Sequence, residues 1–268
     1  MLKKNNYFEY AQSLSNQYST ILSDFSIEEK LLEVFNGQLP IEKENNMTAR
    51  EFLNTFLIQN YPNEIAVKST FIKNILFKTK NHVSIFELNV GQSRLDLCKI
   101  STSSTAFEIK TDLDTPQRLK QQMDDYFQVF EKVYIICSIN NVENMVNYTP
   151  KECGIYTYRI AKSGKYFFKK IRTAQKSDNI SSTAQLSILT KRDLTSYFNC
   201  PYLENKEDMI DSIIKNVTEE EINKIFKNCL KNKFQIKWDF LVEHSSDILE
   251  IDYQWFFKNN ITPEIVYL

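Results

Sequence analysis

Between Val83 and Thr111 apolar and polar residues alternate through successive short segments, a pattern that admits almost only one pairing. Side chains of a strand alternate between its two faces, so a slip of one residue reverses every one of them. Val83 to Val90 puts Phe86 and Leu88 on one face and Glu87 on the other; Ser93 to Ile100 does the same with Leu95 and Leu97 against Asp96. Gly91-Gln92 lies between them, and glycine in the first position favours a two-residue hairpin loop. Counting back from Val90 facing Ser93 sets Leu88 opposite Leu95, Phe86 opposite Leu97 and Glu87 opposite Asp96. In Thr105 to Thr111, Phe107 and Ile109 alternate with Glu108 and Lys110. Only a register pairing Leu97 with Phe107 and Leu95 with Ile109 keeps the apolar face continuous, and it sets Asp96 opposite Glu108. Glu87, Asp96, Glu108 and Lys110 are thereby expected on one face of a small sheet.

Like charges directly opposed across strands are destabilising, so three neighbouring carboxylates call for a cation between them or for raised pKa values. Mg²⁺ or Mn²⁺ is the economical answer, since both prefer oxygen ligands and Mg²⁺ commonly takes one or two carboxylates while keeping several waters. Lys110, on the same face, is placed to orient or deprotonate a water, or to stabilise developing negative charge. The grouping points to metal-dependent phosphodiester chemistry.

With these residues in view, the chain resembles the PD-(D/E)XK nuclease superfamily. Asp96 matches the family's first aspartate and Glu108-Ile109-Lys110 its (D/E)XK signature; Leu95 stands where the family has proline. A helix is expected from Thr115 to Phe130, and its Gln122-x-x-x-Tyr126 resembles the QxxxY element of the RecB-type branch. Glu131 to Ile139 reads as the fourth strand. The resemblance implies an α/β, restriction-endonuclease-like mixed sheet with flanking helices, here with helical N- and C-terminal additions. It further implies a metal held by Asp96, Glu108 and the Ile109 carbonyl, with Glu87 as a further ligand, and catalysis by Lys110 positioned by Gln122 and Tyr126. The expected partner is nucleic acid, DNA ahead of RNA. The alternatives are a catalytically silent protein of the same fold that binds nucleic acid or a protein, and an RNA nuclease.

Composition limits these readings. The 268 residues are 42% hydrophobic, enough for a good core, and 33 Lys and Arg against 34 Asp and Glu leave a net charge of -1. A nucleic acid must then be met by a local basic surface rather than by bulk charge. Five widely spaced cysteines lack zinc spacing and a disulfide framework, the two histidines (His82 and His244) carry no local triad signature, and four glycines offer no Walker-type loop. No membrane span or signal-peptide core is read, so a bacterial-type cytoplasmic location is expected.

Three regions are expected: a helical extension over 1–47, a nuclease-like core over 48–175, and a mainly helical region over 176–268 after a polar stretch from Lys176 to Thr183. Helices are read near Asn6 to Ser23 and Ile27 to Phe35, followed by a polar loop with Pro40 and Asn45-Asn46. Thr48 and Glu51 form a capping-box pattern, although Glu51 is also a candidate acid for the site. Glu64 to Phe77 reads as a helix with Ile65, Phe71 and Ile75 inward. Gly154 to Ala161 and Lys165 to Thr173 read as a hairpin around Ser163-Gly164. Its Lys165, Lys169, Lys170 and Arg172, interleaved with Tyr166, Phe167 and Phe168, suit either phosphate tracking or protection of an edge strand. Helices are also expected near Lys206 to Val217 and Thr218 to Lys233, with Lys224, Lys227, Lys231, Lys233 and Lys237 as a solvated face or a nucleic-acid contact. Trp238, Phe240, Trp255, Phe256 and Phe257 are expected to pack this region.

Overall fold

The computed structural model describes residues 6–37 and 47–267; the loop expected around Pro40 and Asn45-Asn46 lies outside them. In chain order the elements are α1 (Tyr7–Gln17), α2 (Asp24–Val34), α3 (Ala49–Asn60), α4 (Glu64–Phe71), β1 (Val83–Val90), β2 (Ser93–Ile100), β3 (Ser104–Lys110), α5 (Leu119–Phe127), β4 (Lys132–Ser138), α6 (Val142–Val146), β5 (Gly154–Ile160), β6 (Tyr166–Arg172), α7 (Ser182–Ile188), α8 (Lys191–Phe198), α9 (Lys206–Asn216), α10 (Glu219–Glu243), α11 (Tyr253–Asn259) and α12 (Pro263–Val266). The protein is α/β, with a six-stranded mixed sheet in the order β1-β2-β3-β4-β5-β6 flanked by helices.

The first two hairpins follow the hydrophobic pattern. Val90 pairs with Ser93, Leu88 with Leu95 and Phe86 with Leu97; across the second hairpin Leu97 pairs with Phe107. The β2–β3 ladder stops there, so the expected Leu95–Ile109 pair is not formed as a ladder rung. Parallel pairing of β3 with β4, and of β4 with β5, follows from crossovers that contain α5 and α6. Sandwiched between β2 and β4, β3 is buried at every position from Ser104 to Lys110.

Gly91 turns the first hairpin at φ 57°, and a Cβ built on it would stand 2.6 Å from Asp125 Oδ1. That carboxylate is held by Ser93 Oγ at 2.5 Å and by Gln121 Nε2 at 3.1 Å, so it cannot simply swing aside. Glycine is needed here on two counts, backbone conformation and space.

The chain divides into two compact units that cut it differently from the sequence boundaries. One comprises 1–78, 159–167 and 239–268; the other comprises 79–158 and 168–238. In the first, α1 and α2 pack on α3 around Leu14, Leu31, Phe35, Phe52 and Phe56. Thr48 accepts from the Glu51 amide and Glu51 Oε2 accepts from the Thr48 amide at 2.7 Å, so Glu51 is spent on its cap. Ile65 is 45% exposed instead of inward, and Ile75 is only part-buried. Val67, Phe71, Ile72 and Leu76 face inward; a π-helical turn over Ile72–Leu76, closed by Phe77 N–H donating to Ile72 O, shifts the phase at the end of this segment so that Leu76 is buried and Ile75 is not. Asp252, fully buried, accepts from Tyr18, Thr20 and Tyr267, tying the two ends of this unit together.

In the second unit the stretch from Lys176 is no loose linker. Ser177 donates its amide to Glu131 O and its hydroxyl to Phe127 O, at 2.8 and 2.6 Å. Helices α7 and α8 then follow in the region expected to be mainly helical, ahead of the first helix placed there by the sequence, capped by Ser181 and by a Thr190/Asp193 box. Helix α10 is longer than its expected span. Lys227 lies 3.1 Å from both Glu131 oxygens and Lys233 2.8 Å from Asp193, so these two lysines anchor the helix. Trp238 is buried against the His82 ring at 5.1 Å.

Replacing Gly91 with alanine is expected to cost about 1–3 kcal/mol, through the left-handed φ and the Asp125 contact; urea denaturation of the folded variant measures it. A second expectation concerns pH. Burial, and then the Lys99 charge, push the His82 pKa down to about 4. The folded chain thus binds one proton fewer than the unfolded chain between the unperturbed value near 6.5 and about 4, so stability is full above that window and falls as pH descends through it. Urea midpoints at pH 7.5 and 5.0 should differ more for the wild type than for His82→Phe; an equal difference would assign the acid sensitivity elsewhere.

Candidate functional site

The site grows out of one buried carboxylate. Glu108 is 1% exposed in the middle of β3, and an ionised group there must be paired and hydrogen-bonded. Lys110, two residues on and on the same face, places Nζ 2.6 Å from Glu108 Oε1. Helix α5, which packs on β2 and β4 through Leu119, Met123 and Phe127, supplies the remaining donors. Gln122 Nε2 donates to Glu108 Oε1 at 2.5 Å, and the Tyr126 hydroxyl reaches Glu108 Oε2 at 2.9 Å and Arg94 O at 3.1 Å. Four residues apart, Gln122 and Tyr126 project from one side of the helix. Burial, then the Glu108 charge and the hydrogen bond to it, raise the Tyr126 pKa, which keeps the phenol protonated and a donor.

Asp96 is reached by a different route. Beyond the Leu97–Phe107 pair the ladder gives way, and Asp96 Oδ2 accepts the Ile109 amide at 2.7 Å. Ile109 thus gives its amide to Asp96, a contact that the sequence reading did not include. Glu87 stands across from Asp96 in the count, yet the ladder skips it and its φ is 55°. This is a left-handed conformation uncommon outside glycine and carrying a strain cost of about 1–3 kcal/mol. Its carboxylate pairs with Arg94 Nε at 2.7 Å, and a Glu87 oxygen and an Asp96 oxygen lie within 4.8 Å of each other.

The structure thus brings together Asp96, Glu108, Lys110, Gln122 and Tyr126, with Glu87 at the margin. The two ends of Gln122 differ. Its amide nitrogen must face the carboxylate, which leaves Oε1 as a buried acceptor with no donor among the described residues. Arg94 is the participant that the sequence reading missed; it sits one residue past Ser93 and its side chain is 66% exposed.

The four basic residues of the β5–β6 hairpin differ in their engagement. Lys165 falls in one compact unit and Lys169, Lys170 and Arg172 in the other. Arg172 is committed to Cys153 O, Thr149 Oγ1 and Pro150 O at 2.5, 3.1 and 3.1 Å, which makes it a structural clamp. Lys165 lies 5.8 Å from the Phe167 ring centre. The five cysteines are buried free thiols. In the first unit His244, Asp247 and Glu264 bring ligand atoms within 4.8 Å of one another, with both acids exposed. No described helix is long and apolar enough to cross a membrane.

Fold and site together define an α/β protein with an acid, lysine and glutamine cluster on a sheet. The profile of the Bacteriophage P4 protein cII family matches residues 58–255, and the chain belongs to that family. Protein cII of Enterobacteria phage P4 is 23% identical over 145 residues, covering 53% of this chain and 54% of the phage protein. The chain thus spans about half the length of this curated relative. A protein of unknown function from Silicibacter pomeroyi has a solved structure that is 14% identical, with a TM-score of 0.29 over 38% of this chain and 64% of that one.

The cluster has a stability signature. Glu108→Leu strands the buried Lys110 charge and should cost about 3–5 kcal/mol, the usual effect of breaking a buried pair from one side. Adding Lys110→Met should recover much of that loss. Strictly additive losses in urea denaturation would show that the two side chains are not coupled.

Proposed function

We propose that the protein is a Mg²⁺- or Mn²⁺-dependent nuclease of the PD-(D/E)XK type that hydrolyses DNA phosphodiesters in the cytoplasm. The observation that carries this reading is the convergence of Lys110 and Gln122 on Glu108, one residue from the amide that holds Asp96.

A hard divalent ion fits the residues present. Two carboxylates, Glu87 and Asp96, bring oxygens within 4.8 Å of each other and would be among the residues that hold such an ion. The Ile109 carbonyl and Glu108 are the further oxygen donors of the set. Gln122 Oε1, a buried acceptor without a donor in the described chain, suits a hydrogen from water or substrate. Such an ion, when bound, supplies charge neutralisation at the phosphoryl group and a more acidic water.

The chain's own residues divide the remaining work. Tyr126 and Gln122 hold the Glu108 carboxylate in one orientation. Glu108 in turn fixes the Lys110 ammonium, which orients the attacking water and meets the negative charge that develops on the phosphate. Attack in line with the leaving oxygen leaves a 5′-phosphate and a 3′-hydroxyl. Strain at Glu87 is in keeping with a working centre, because such backbone outliers gather at functional sites.

One set of observations favours a second reading, a silent scaffold of the same fold. Both Glu108 oxygens already have donors, Arg94 holds Glu87, and the Ile109 amide holds Asp96, so each carboxylate has a partner within the chain. Cleavage assays on single- and double-stranded DNA and RNA with Mg²⁺ or Mn²⁺ separate the readings. On the nuclease reading Asp96→Asn abolishes cleavage, and Lys110→Ala lowers turnover by about two to four powers of ten while retaining metal affinity. Absence of metal-dependent turnover on every substrate, with binding that ignores metal, would establish the scaffold instead.

A further inference from the structure

The sheet face opposite the carboxylates carries a separate feature. Alternation along β2 and β3 turns Lys99 and Thr105 away from Asp96 and Glu108. The ladder sets Lys99 against Thr105 and Thr105 against Lys132, so both lysines stand in one row across β2, β3 and β4. One step along the strands lies an aromatic row. Phe107 and Tyr134 stack at 5.6 Å there, and Tyr134 meets Tyr156, which stands one row further on opposite Ile136, at 5.2 Å. On β6, Thr157 Oγ1 reaches Lys169 O at 3.4 Å, which by antiparallel counting brings Lys170 beside Tyr156; the Tyr158–Phe168 ring contact at 6.3 Å agrees with that count.

Three cations from three strands therefore share one face with a tyrosine: Lys170 stands beside Tyr156, and Lys99 and Lys132 stand two rows along the strands from it. Lys99, Lys132 and Tyr156 are half-buried, and Lys170 is exposed. None of the three lysine side chains makes a hydrogen bond or ion pair among the described residues. The Lys99 pKa is lowered by burial and then by the charges of Lys132 and Lys170, so these ammonium groups lie close enough to repel one another. Holding like charges together without a counter-charge costs the fold stability. An anion supplied from outside offsets that cost.

We propose that this face binds single-stranded nucleic acid, with Lys99, Lys132 and Lys170 meeting phosphates and the Tyr156 ring stacking against a base. A sheet surface that pairs cations with a half-buried ring suits a flexible strand, whose bases are free to stack. The face is opposite the acids, so this binding needs neither the metal nor turnover and stands apart from the nuclease reading.

Fluorescence anisotropy with a labelled oligothymidylate in EDTA, using the full chain, tests the proposal. Lys99→Met, Lys132→Gln and Lys170→Gln together should weaken binding about tenfold or more and lower the slope of log affinity against log salt by about 2, the loss expected for three phosphate contacts on a single strand. If the triple variant fails to fold, Lys132→Gln with Lys170→Gln should still lower the slope by more than about 1. Tyr156→Ala should weaken the oligothymidylate about fivefold or more, leave an abasic strand of equal length unaffected, and be rescued by Tyr156→Phe. An unchanged salt slope in the folded lysine variants would overturn the proposal. So would polyglutamate or duplex DNA competing as well as the single strand, or Tyr156→Ala weakening the abasic strand equally.

Discussion

A carboxylate at the centre of a fully buried strand is the constraint around which the sheet and its covering helix are arranged. Glu108 has almost no contact with solvent, and ionised groups persist at such positions only where donors replace the lost water. Lys110 comes from the same strand, whereas Gln122 and Tyr126 come from α5. The helix must therefore sit over β2 and β3 at one height and one rotation. Its apolar residues provide the adhesion, but the hydrogen bonds to Glu108 choose the orientation.

The same demand reaches outward to the first hairpin. Tyr126 also contacts the Arg94 carbonyl, and the neighbouring Asp125 presses on the Gly91 turn. Arg94 in turn pairs with Glu87, whose left-handed backbone interrupts the β1–β2 ladder without inserting a residue. Acids that would have faced one another directly are instead each given a different partner: an amide for Asp96, a guanidinium for Glu87, and the lysine, amide and phenol for Glu108. This separation gives each acid of the cluster its own partner. It also makes the arrangement compatible with either a working centre or a scaffold, and turnover decides between them.

The second unit holds opposite charges on opposite sides of one thin layer, acids beneath α5 and lysines on the reverse. Alternation makes this possible, because neighbouring residues such as Cys98 and Lys99, or Glu108 and Ile109, face away from each other. Packing from the C-terminal helices is tied into the same layer through Glu131, which accepts from Ser104, Asn223 and Lys227 and has its pKa lowered by those bonds against the opposing effect of burial. The polar segment after β6 is thus bound to the sheet rather than a division between domains.

Much of this was legible in the sequence wherever the relevant physics is local. Alternation and the Gly91-Gln92 turn determined the register of the first two hairpins, because a slip would expose Leu95, Leu97 and Phe107 together. Helical spacing put Gln122 and Tyr126 on one side of α5, and the Thr48/Glu51 box marked the start of α3. The Thr190/Asp193 box was equally readable, and α8 was missed because its surroundings are polar and its apolar face is short. Other features belong to tertiary structure alone. The π-helical turn that buries Leu76 in place of Ile75, the strained Glu87 and the capture of Arg172 by three oxygens are set by the packed chain. Local pattern decides which side chains share a face; only the packed chain decides which partner reaches each charge, because a buried ion takes whichever donor the fold brings within hydrogen-bonding distance.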